Sequence, residues 1–410
     1  MGHGTQQRRA VVIGGSLGGL FAGLLLARAG WDVVICERAG EALASRGAGI
    51  VTHPEMHAAM VAAGADPGDG LGITVEGRVV LDRDGRPLCA VDDPHVLTSW
   101  GRAYGFLRRA CPDGIYHHGK ALARIEQVPG QVIAHFEDGS RETGSILVAA
   151  DGAQSTARRL LFPEAGLAYA GYCAWRGMVD EGLLTPGTHA RLMRRVAFCL
   201  PTGEQMLGYP VAGADEDIRP GRQRFNFVWY RPVDAEAGRR HLFTASDGTD
   251  HGFAIPPHRI RPDLVAEARS DAARLLAPAF AEVVARTPQP FLQAIFDLET
   301  PAMTVGRVAF LGDAAFVARP HVGMGVTKAA GDAMALVEAL SQAPDIDAGL
   351  AAYAARRHEF GRRVVRRGRH LGAYMQAQQL SPEERLQAER HRSPEAVMNE
   401  TAVLAGIERW

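Results

Sequence analysis

The stretch Gly14-Gly15-Ser16-Leu17-Gly18-Gly19 has the make-up needed to hold a dinucleotide pyrophosphate. That task requires a tight turn, a close approach of backbone to phosphate, and a helix N-terminus whose open N–H groups and positive dipole end face the negative charge. Gly14 and Gly19 fill the first and third positions of GxGxxG, and Ser16 stands in the middle one. Glu37 follows a little over twenty residues on, placed to accept a hydrogen bond from a ribose hydroxyl. The plainer reading, a glycine-rich turn without a ligand, leaves that carboxylate unexplained. On these residues alone the choice between NAD and FAD stays open. Two more acidic residues sit beside glycine where short apolar runs end, in Asp151-Gly152 and Gly312-Asp313. Either pair alone is ordinarily a surface turn.

Strands and helices must hold these residues in place. Residues 10–13 are continuously apolar, as in a parallel strand buried on both faces. Over residues 17–29, Leu20, Phe21, Leu24 and Leu25 recur at helical spacing, Gly30 is the stop signal, and residues 32–36 predict a second strand that ends at Glu37. Residues 146–150 and 308–311 predict two further short strands. Between them, near 165–260, alternating aromatic-rich runs such as RFNFVWY at 224–230 predict antiparallel strands with one covered face, suited to a substrate lid. Helical patterns cover 262–284 and 350–375. The second helix is expected to bury Leu350, Tyr353, Phe360, Val364 and Leu371, and to carry Arg356, Arg357, Arg362, Arg363, Arg366, Arg367 and Arg369 on a solvated face. There is no internal repeat and no low-complexity segment.

Composition narrows the function classes. The chain has 410 residues, enough for two or three structural units, and a formal charge of -1, so no global field draws it to nucleic acid or an anionic membrane. The expected partner is a small molecule. Cys36, Cys89, Cys111, Cys173 and Cys199 are dispersed without CxxC spacing, which fits reduced thiols in a cytoplasmic protein and neither a disulfide framework nor a metal site. The longest apolar stretch, residues 20–29, is interrupted by Gly23 and Arg28 and falls far short of the ~18 to 20 residues of a membrane span. No signal-type segment precedes the first strand.

Asp151-Gly152-Ala153-Gln154-Ser155 with Arg158 resembles the DGxxSxxR motif of the flavoprotein aromatic hydroxylases typified by para-hydroxybenzoate hydroxylase, and Gly312-Asp313-Ala314-Ala315 resembles their GD motif. Pro320, Gly323, Gly325 and Asp332 follow where that family carries its flavin-facing loop and helix. Three motifs in family order favour FAD over NAD. The resemblance implies a mixed fold, α/β plus antiparallel β: a Rossmann-like FAD-binding domain over 1–72, 98–165 and 292–345, an inserted antiparallel-sheet substrate domain over 73–97 and 166–291, and a C-terminal helical segment over 346–410. It also implies site residues. Asp313 would hold the ribityl chain, Asp151 would lie near the pyrophosphate, and residues 46–51, with Arg46, Gly49, Ile50 and Val51, would run beside the flavin. Arg38 and Leu122 join the cofactor set. Pro320, Gly323, Met324, Gly325 and Val326 would lie against the isoalloxazine, with the following helix aiming its positive end at the N1–C2=O edge. Phe316 stands where the family usually has histidine, and Arg102 lies two places from its usual cofactor arginine. The runs 169–177 and 319–321 are most similar to hydroxylases of hydroxylated pyridines.

The implied chemistry is that of the cofactor. NADH or NADPH, visiting transiently because no second GxGxxG exists, gives a hydride to FAD; O2 adds at flavin C4a, and the hydroperoxide transfers OH to a small electron-rich aromatic or N-heteroaromatic ring. His321, in the flavin loop, is the first candidate for a polar group or base touching the ring, with His53, Arg176, Tyr209 and Trp229 behind it. A halogenase of the same fold would need an active-site lysine, and the only lysines, Lys120 before a strand and Lys328 inside the flavin helix, are not expected there. A dehydrogenase would leave two motifs unused. A non-catalytic nucleotide-binding protein would show no substrate-stimulated NADH oxidation. A homodimer is compatible with all of this.

Overall fold

The computed structural model describes residues 8–41, 43, 49–379, 381–403 and 407. Its first sheet has six strands in the order Thr304–Val305, Val308–Phe310, Ile146–Ala149, Arg9–Ile13, Asp32–Cys36 and Tyr116–His117. All neighbours run parallel except the first pair. The central strands are short and apolar because both faces are covered, by helix Leu17–Arg28 among others. That helix is buried on most of its circumference, including Leu20, Phe21, Leu24 and Leu25. The strands end together at one edge, so Gly14, Asp151 and Gly312, far apart in sequence, become neighbours there.

A second sheet has nine strands, in the order Phe316–Val317, Phe291–Glu299, Ala168–Asp180, Arg224–Pro232, Gln205–Val211, Arg195–Cys199, Ile73–Leu81, Pro87–Ser99 and Gly49–Val51. It is antiparallel as expected, save that Arg195–Cys199 pairs in parallel with Ile73–Leu81. It takes in Gly49–Val51 and Phe291–Glu299, segments expected, but for Phe291, in the FAD-binding domain. Strand alternation gives this sheet two different faces. Tyr172, Tyr209 and Tyr230 share one, while Trp175, Phe225, Phe227 and Trp229 pack on the other with Leu264, Phe280 and Val284. A three-stranded sheet, Leu122–Val128, Gln131–Phe136 and Arg141–Gly144, completes the sheets among the described residues.

Two helical expectations change. The pattern over 262–284 is two helices, Pro262–Leu275 and Pro278–Arg286, because Pro278 cannot supply the N–H that a continuous helix needs and instead starts the second one. The last long helix starts earlier than its apolar pattern, at Ile346–Gly372, since Asp345 caps it by accepting from Ala348 N at 2.8 Å. Leu350, Tyr353, Phe360, Val364 and Leu371 are all buried on it. Arg357 is not on the solvated face: it is 1% exposed, and its Nε donates to Asp332 Oδ1 at 2.7 Å. Among the described residues no helix is long and apolar enough to cross a membrane.

Candidate active site

A cavity of about 550 Å³ opens where the parallel strands end, and all three motifs reach it. Gly14, Ser16, Leu17, Gly18, Glu37, Arg38, Leu122, Asp151, Gly312 and Asp313 line it. Gly15 and Gly19 stand just behind. Gly14 has φ +101°, and a Cβ there would lie 2.5 Å from Ala150 O, so the turn admits only glycine. Ser16 precedes the helix without capping it through its side chain, and no acidic residue occupies the first turn. The dipole end is thus left to whatever fills the cavity.

The acidic residues divide the work. Glu37 accepts from Gly15 N at 2.7 Å and Ala39 N at 2.8 Å, one bond to each oxygen, so it braces the glycine turn and keeps lone pairs for a ligand. Asp151 turns its carboxylate to Ser155 Oγ (2.5 Å), Thr156 N (2.7 Å) and Ala157 N (3.1 Å), starting helix Thr156–Leu161. It therefore shapes the cavity and does not present charge to a phosphate. Arg158, nearly fully buried, donates to Ala314 O at 3.1 Å, which ties the first acidic motif to the second. Asp332 receives Gly312 N at 2.9 Å. Asp313 is left facing the cavity; the protein packed around it raises its carboxyl pKa, Lys328 and Arg158 oppose the rise, and Asp332 adds to it.

A second cavity of about 400 Å³ shares Asp313, Gly325 and Val326 with the first. Gly49, Ile50, Val51, Pro320, Gly323 and Met324 form part of its wall, and Arg176, Tyr209, Tyr230, Gln293, His321 and Lys328 supply polar groups. Arg176 donates to Gln293 Oε1 at 2.6 Å, its Nε has no hydrogen-bond partner, and it has no carboxylate partner among the described residues. Burial pushes the Tyr209 hydroxyl up to about 12, so it is a neutral donor. His321 is 1% exposed, and its Nε2 lies 2.8 Å from Tyr172 Oη. Burial, and then Arg319, lower its pKa to about 3. Burial keeps the Tyr172 hydroxyl protonated, and we assign the tautomer in which it donates to Nε2 and Nδ1 carries the proton of the neutral ring. Nδ1 has no hydrogen-bond partner among the described residues. The sequence suggested an imidazole poised near neutral pH; the structure gives a neutral hydrogen-bond donor.

Other candidates lie elsewhere. Trp229 is on the opposite face of its strand from Val228 and Tyr230, wholly buried, with Nε1 donating to Glu204 Oε2 at 2.8 Å; the two-residue period of a strand excludes it from the cavity. His53 precedes helix Pro54–Ala62 and lines neither cavity. Its Nδ1 meets Thr327 Oγ1 at 2.9 Å, and burial lowers its pKa. Arg102 is spent on Gly70 O, at 2.6 Å, and on Glu216 O. Arg46 lies outside the described residues.

Sequence reasoning missed Tyr230 and Gln293, which share a sheet face with Arg176 through the register of their strands with Ala168–Asp180, a pairing that no local pattern gives. It also kept Lys328 out of the cavity wall, although a helical side chain points back toward the N-terminus of its helix, here toward Gly325 and the cavity. Thr401 and Ala402 carry no motif. They reach the second cavity because Arg78 donates to Thr401 O at 2.6 Å and Ala402 N donates to His321 O at 2.7 Å.

The donor set suits FAD: a glycine cradle at a helix start, the Glu37 carboxylate on the same cavity wall, and a second cavity at the start of helix Gly325–Gln342, with the buried polar atoms His321 Nδ1 and Lys328 Nζ unpartnered among the described residues. Family profiles described as an FAD binding domain and as FAD binding domain-like match residues 254–368 and 169–297. The chain is 29% identical over 375 residues to the 2,6-dihydroxypyridine 3-monooxygenase of Paenarthrobacter nicotinovorans, covering 90% of this chain and 91% of that protein. It is 28% identical over 379 residues to salicylate hydroxylase of Pseudomonas putida, covering 83% and 79%. The solved structure of 2,6-dihydroxypyridine-3-hydroxylase from Arthrobacter nicotinovorans superposes with a TM-score of 0.85 at 27% identity, over 91% of this chain and 93% of that one.

Proposed function

We propose that this chain, which belongs to the FAD-dependent monooxygenases of the para-hydroxybenzoate hydroxylase-like family, hydroxylates a small hydroxylated N-heteroaromatic or phenolic ring bound as its oxyanion. NADH or NADPH is the electron donor and O2 the co-substrate. Bound FAD supplies the redox chemistry and the electrophilic oxygen. The chain's own residues bind, orient and keep water out.

The observation that carries this reading is Arg176, a half-buried cation without a carboxylate partner among the described residues, in an aromatic-walled cavity beside the unpartnered Nδ1–H of His321. Unpaired charge in such a place is costly, and an anionic ligand removes the cost. A ring oxyanion accepting from Arg176 and His321 would be held with its electron density raised, which is the state an electrophile attacks. Tyr209 and Tyr230 offer neutral hydroxyls to a second ring substituent. The hydroxypyridine preference rests on the named relative; a 2,6-dihydroxypyridine carries two ionisable oxygens for the polar groups that Arg176, Tyr209, Tyr230 and His321 bring to this cavity.

The test is to screen hydroxylated pyridines and phenols for stimulated NAD(P)H oxidation with product analysis, in wild type and Arg176→Gln. The reading expects a hydroxylated product from an ionisable ring, and a KM raised ~tenfold or more in the variant, the size of one charge-assisted hydrogen bond. Equal KM in both proteins would remove Arg176 from substrate binding.

A further inference from the structure

Lys328 is 1% exposed, and its Nζ has no hydrogen-bond partner among the described residues. Its nearest carboxylate, Asp332, is 3.9 Å away. Both oxygens of that carboxylate are already engaged, one by Arg357 Nε at 2.7 Å and the other by Gly312 N at 2.9 Å. The ammonium therefore has an ion pair without a hydrogen bond. A dry ammonium held in this way is costly, and chains keep one where something else completes it.

Its position shows what that could be. Lys328 is in the first turn of helix Gly325–Gln342, which has no capping side chain and no acidic residue in that turn. From there its side chain runs back toward the helix start. Gly325, one turn before it, leaves open space where a side chain would stand. Asp313, Gly325 and Val326 line both cavities, so the ammonium lies close to where the two meet. Helix dipole and ammonium thus add their positive fields at one place.

We propose that Lys328 is a fixed positive charge that stabilises the reduced, anionic isoalloxazine at its N1–C2=O edge, and so sets how readily bound FAD accepts a hydride. This rests on the FAD-dependent reading above. When a hydride moves from reduced nicotinamide to flavin N5, two electrons and one proton arrive together, the nicotinamide leaves oxidised, and the flavin keeps one negative charge spread over N1 and the C2 oxygen. Lys328 makes no bond in that step. It is a positioning charge, and Asp332 holds it in place.

Sulfite probes the same charge without turnover: its sulfur lone pair forms a bond to flavin N5, and the ring takes the same negative charge at N1. The experiment titrates the FAD-loaded wild type, Lys328→Met and Lys328→Arg with sulfite, and measures their flavin midpoint potentials and ring-substrate KM. The proposal expects Lys328→Met to bind sulfite ~tenfold or more weakly, and its potential to fall by about 30 mV for each tenfold lost in the two-electron equilibrium. Lys328→Arg should recover most of both. Should Lys328→Met lose FAD on purification, Lys328→Gln reconstituted with added FAD carries the same expectation. Unchanged sulfite affinity and potential overturn the proposal, and a raised substrate KM with both unchanged assigns the ammonium to the substrate. A wild type that binds no FAD defeats the underlying reading instead.

Discussion

Tyr172 Oη and His321 Nε2 lie 2.8 Å apart, joining the middle of one sheet to the loop before helix Gly325–Gln342. The bond leaves Nδ1 as the ring nitrogen of His321 without a hydrogen-bond partner among the described residues. It also has a thermodynamic signature. The folded pKa of His321, about 3, lies below its ordinary value, so between the two the unfolded chain binds the extra proton, and stability falls as pH drops from ~6.5 toward 3. His321 alone should cost roughly 2 kcal/mol between pH 7 and pH 5, and His53, also lowered, acts in the same direction. Denaturant melts of wild type and His321→Asn against pH check this: the variant's acid limb should be shallower. An identical limb would mean that His321 is not buried neutral. In turnover, His321→Ala should keep FAD and lose ~tenfold or more in hydroxylated product, the size of one hydrogen bond to a ring oxyanion, while substrate-stimulated NAD(P)H oxidation continues to hydrogen peroxide.

Arg357 and Asp332 form a buried pair at 2.7 Å that also anchors Gly312. Removing Arg357 leaves Asp332, among the described residues, only the Lys328 ammonium at 3.9 Å and the Gly312 N–H, so Arg357→Met should destabilise by up to about 3 kcal/mol and loosen FAD, whereas exposed Arg366→Met should change neither. Thermal melts with and without added FAD measure both effects. A neutral Arg357→Met would place that charge in solvent.

Asp313→Ala should weaken FAD at least ~tenfold, since charged hydrogen bonds are worth ~1.5 to 3 kcal/mol each. Glu37→Ala loses the acceptor of Gly15 N and should also raise the FAD dissociation constant, with ring preference unchanged. Fluorescence titration of apoprotein reads both. Normal affinity in either variant would remove that residue from the cofactor site.

The fold was legible where one local rule governs a segment. The glycine turn, the helix after it and the buried apolar positions of the last long helix follow from periodicity and from glycine's φ freedom. The substrate side was harder to read, because it is built by sheet parity and long-range pairing. Trp229 and Tyr230 are adjacent in sequence and alike in chemistry, yet they face opposite cores, and only the register with Ala168–Asp180 decides which meets the cavity. Arg357 reads as one more arginine in a charged helix until Asp332 is placed opposite it. The pKa of His321 depends on burial, which no motif encodes.

Thr401 and Ala402 reach the cavity because Arg78, itself 5% exposed, holds the carbonyls of Met398 and Thr401. Arg78→Met should release that wall, with FAD content kept and a larger share of NAD(P)H oxidation yielding hydrogen peroxide. Product-to-NAD(P)H ratios test it. Unchanged coupling would show that the C-terminal segment does not seal the cavity.

The central claim is that FAD held in the first cavity delivers one atom of molecular oxygen to a ring held in the second. Turnover of an accepted hydroxypyridine or phenol under oxygen-18 gas in ordinary water, followed by mass spectrometry of the product, tests it most directly. The account predicts one oxygen-18 atom in each hydroxylated product molecule, formed together with one NAD(P)H oxidised. A new hydroxyl carrying water oxygen, or NAD(P)H consumed with hydrogen peroxide as the sole oxygen product for every ring tried, would contradict it.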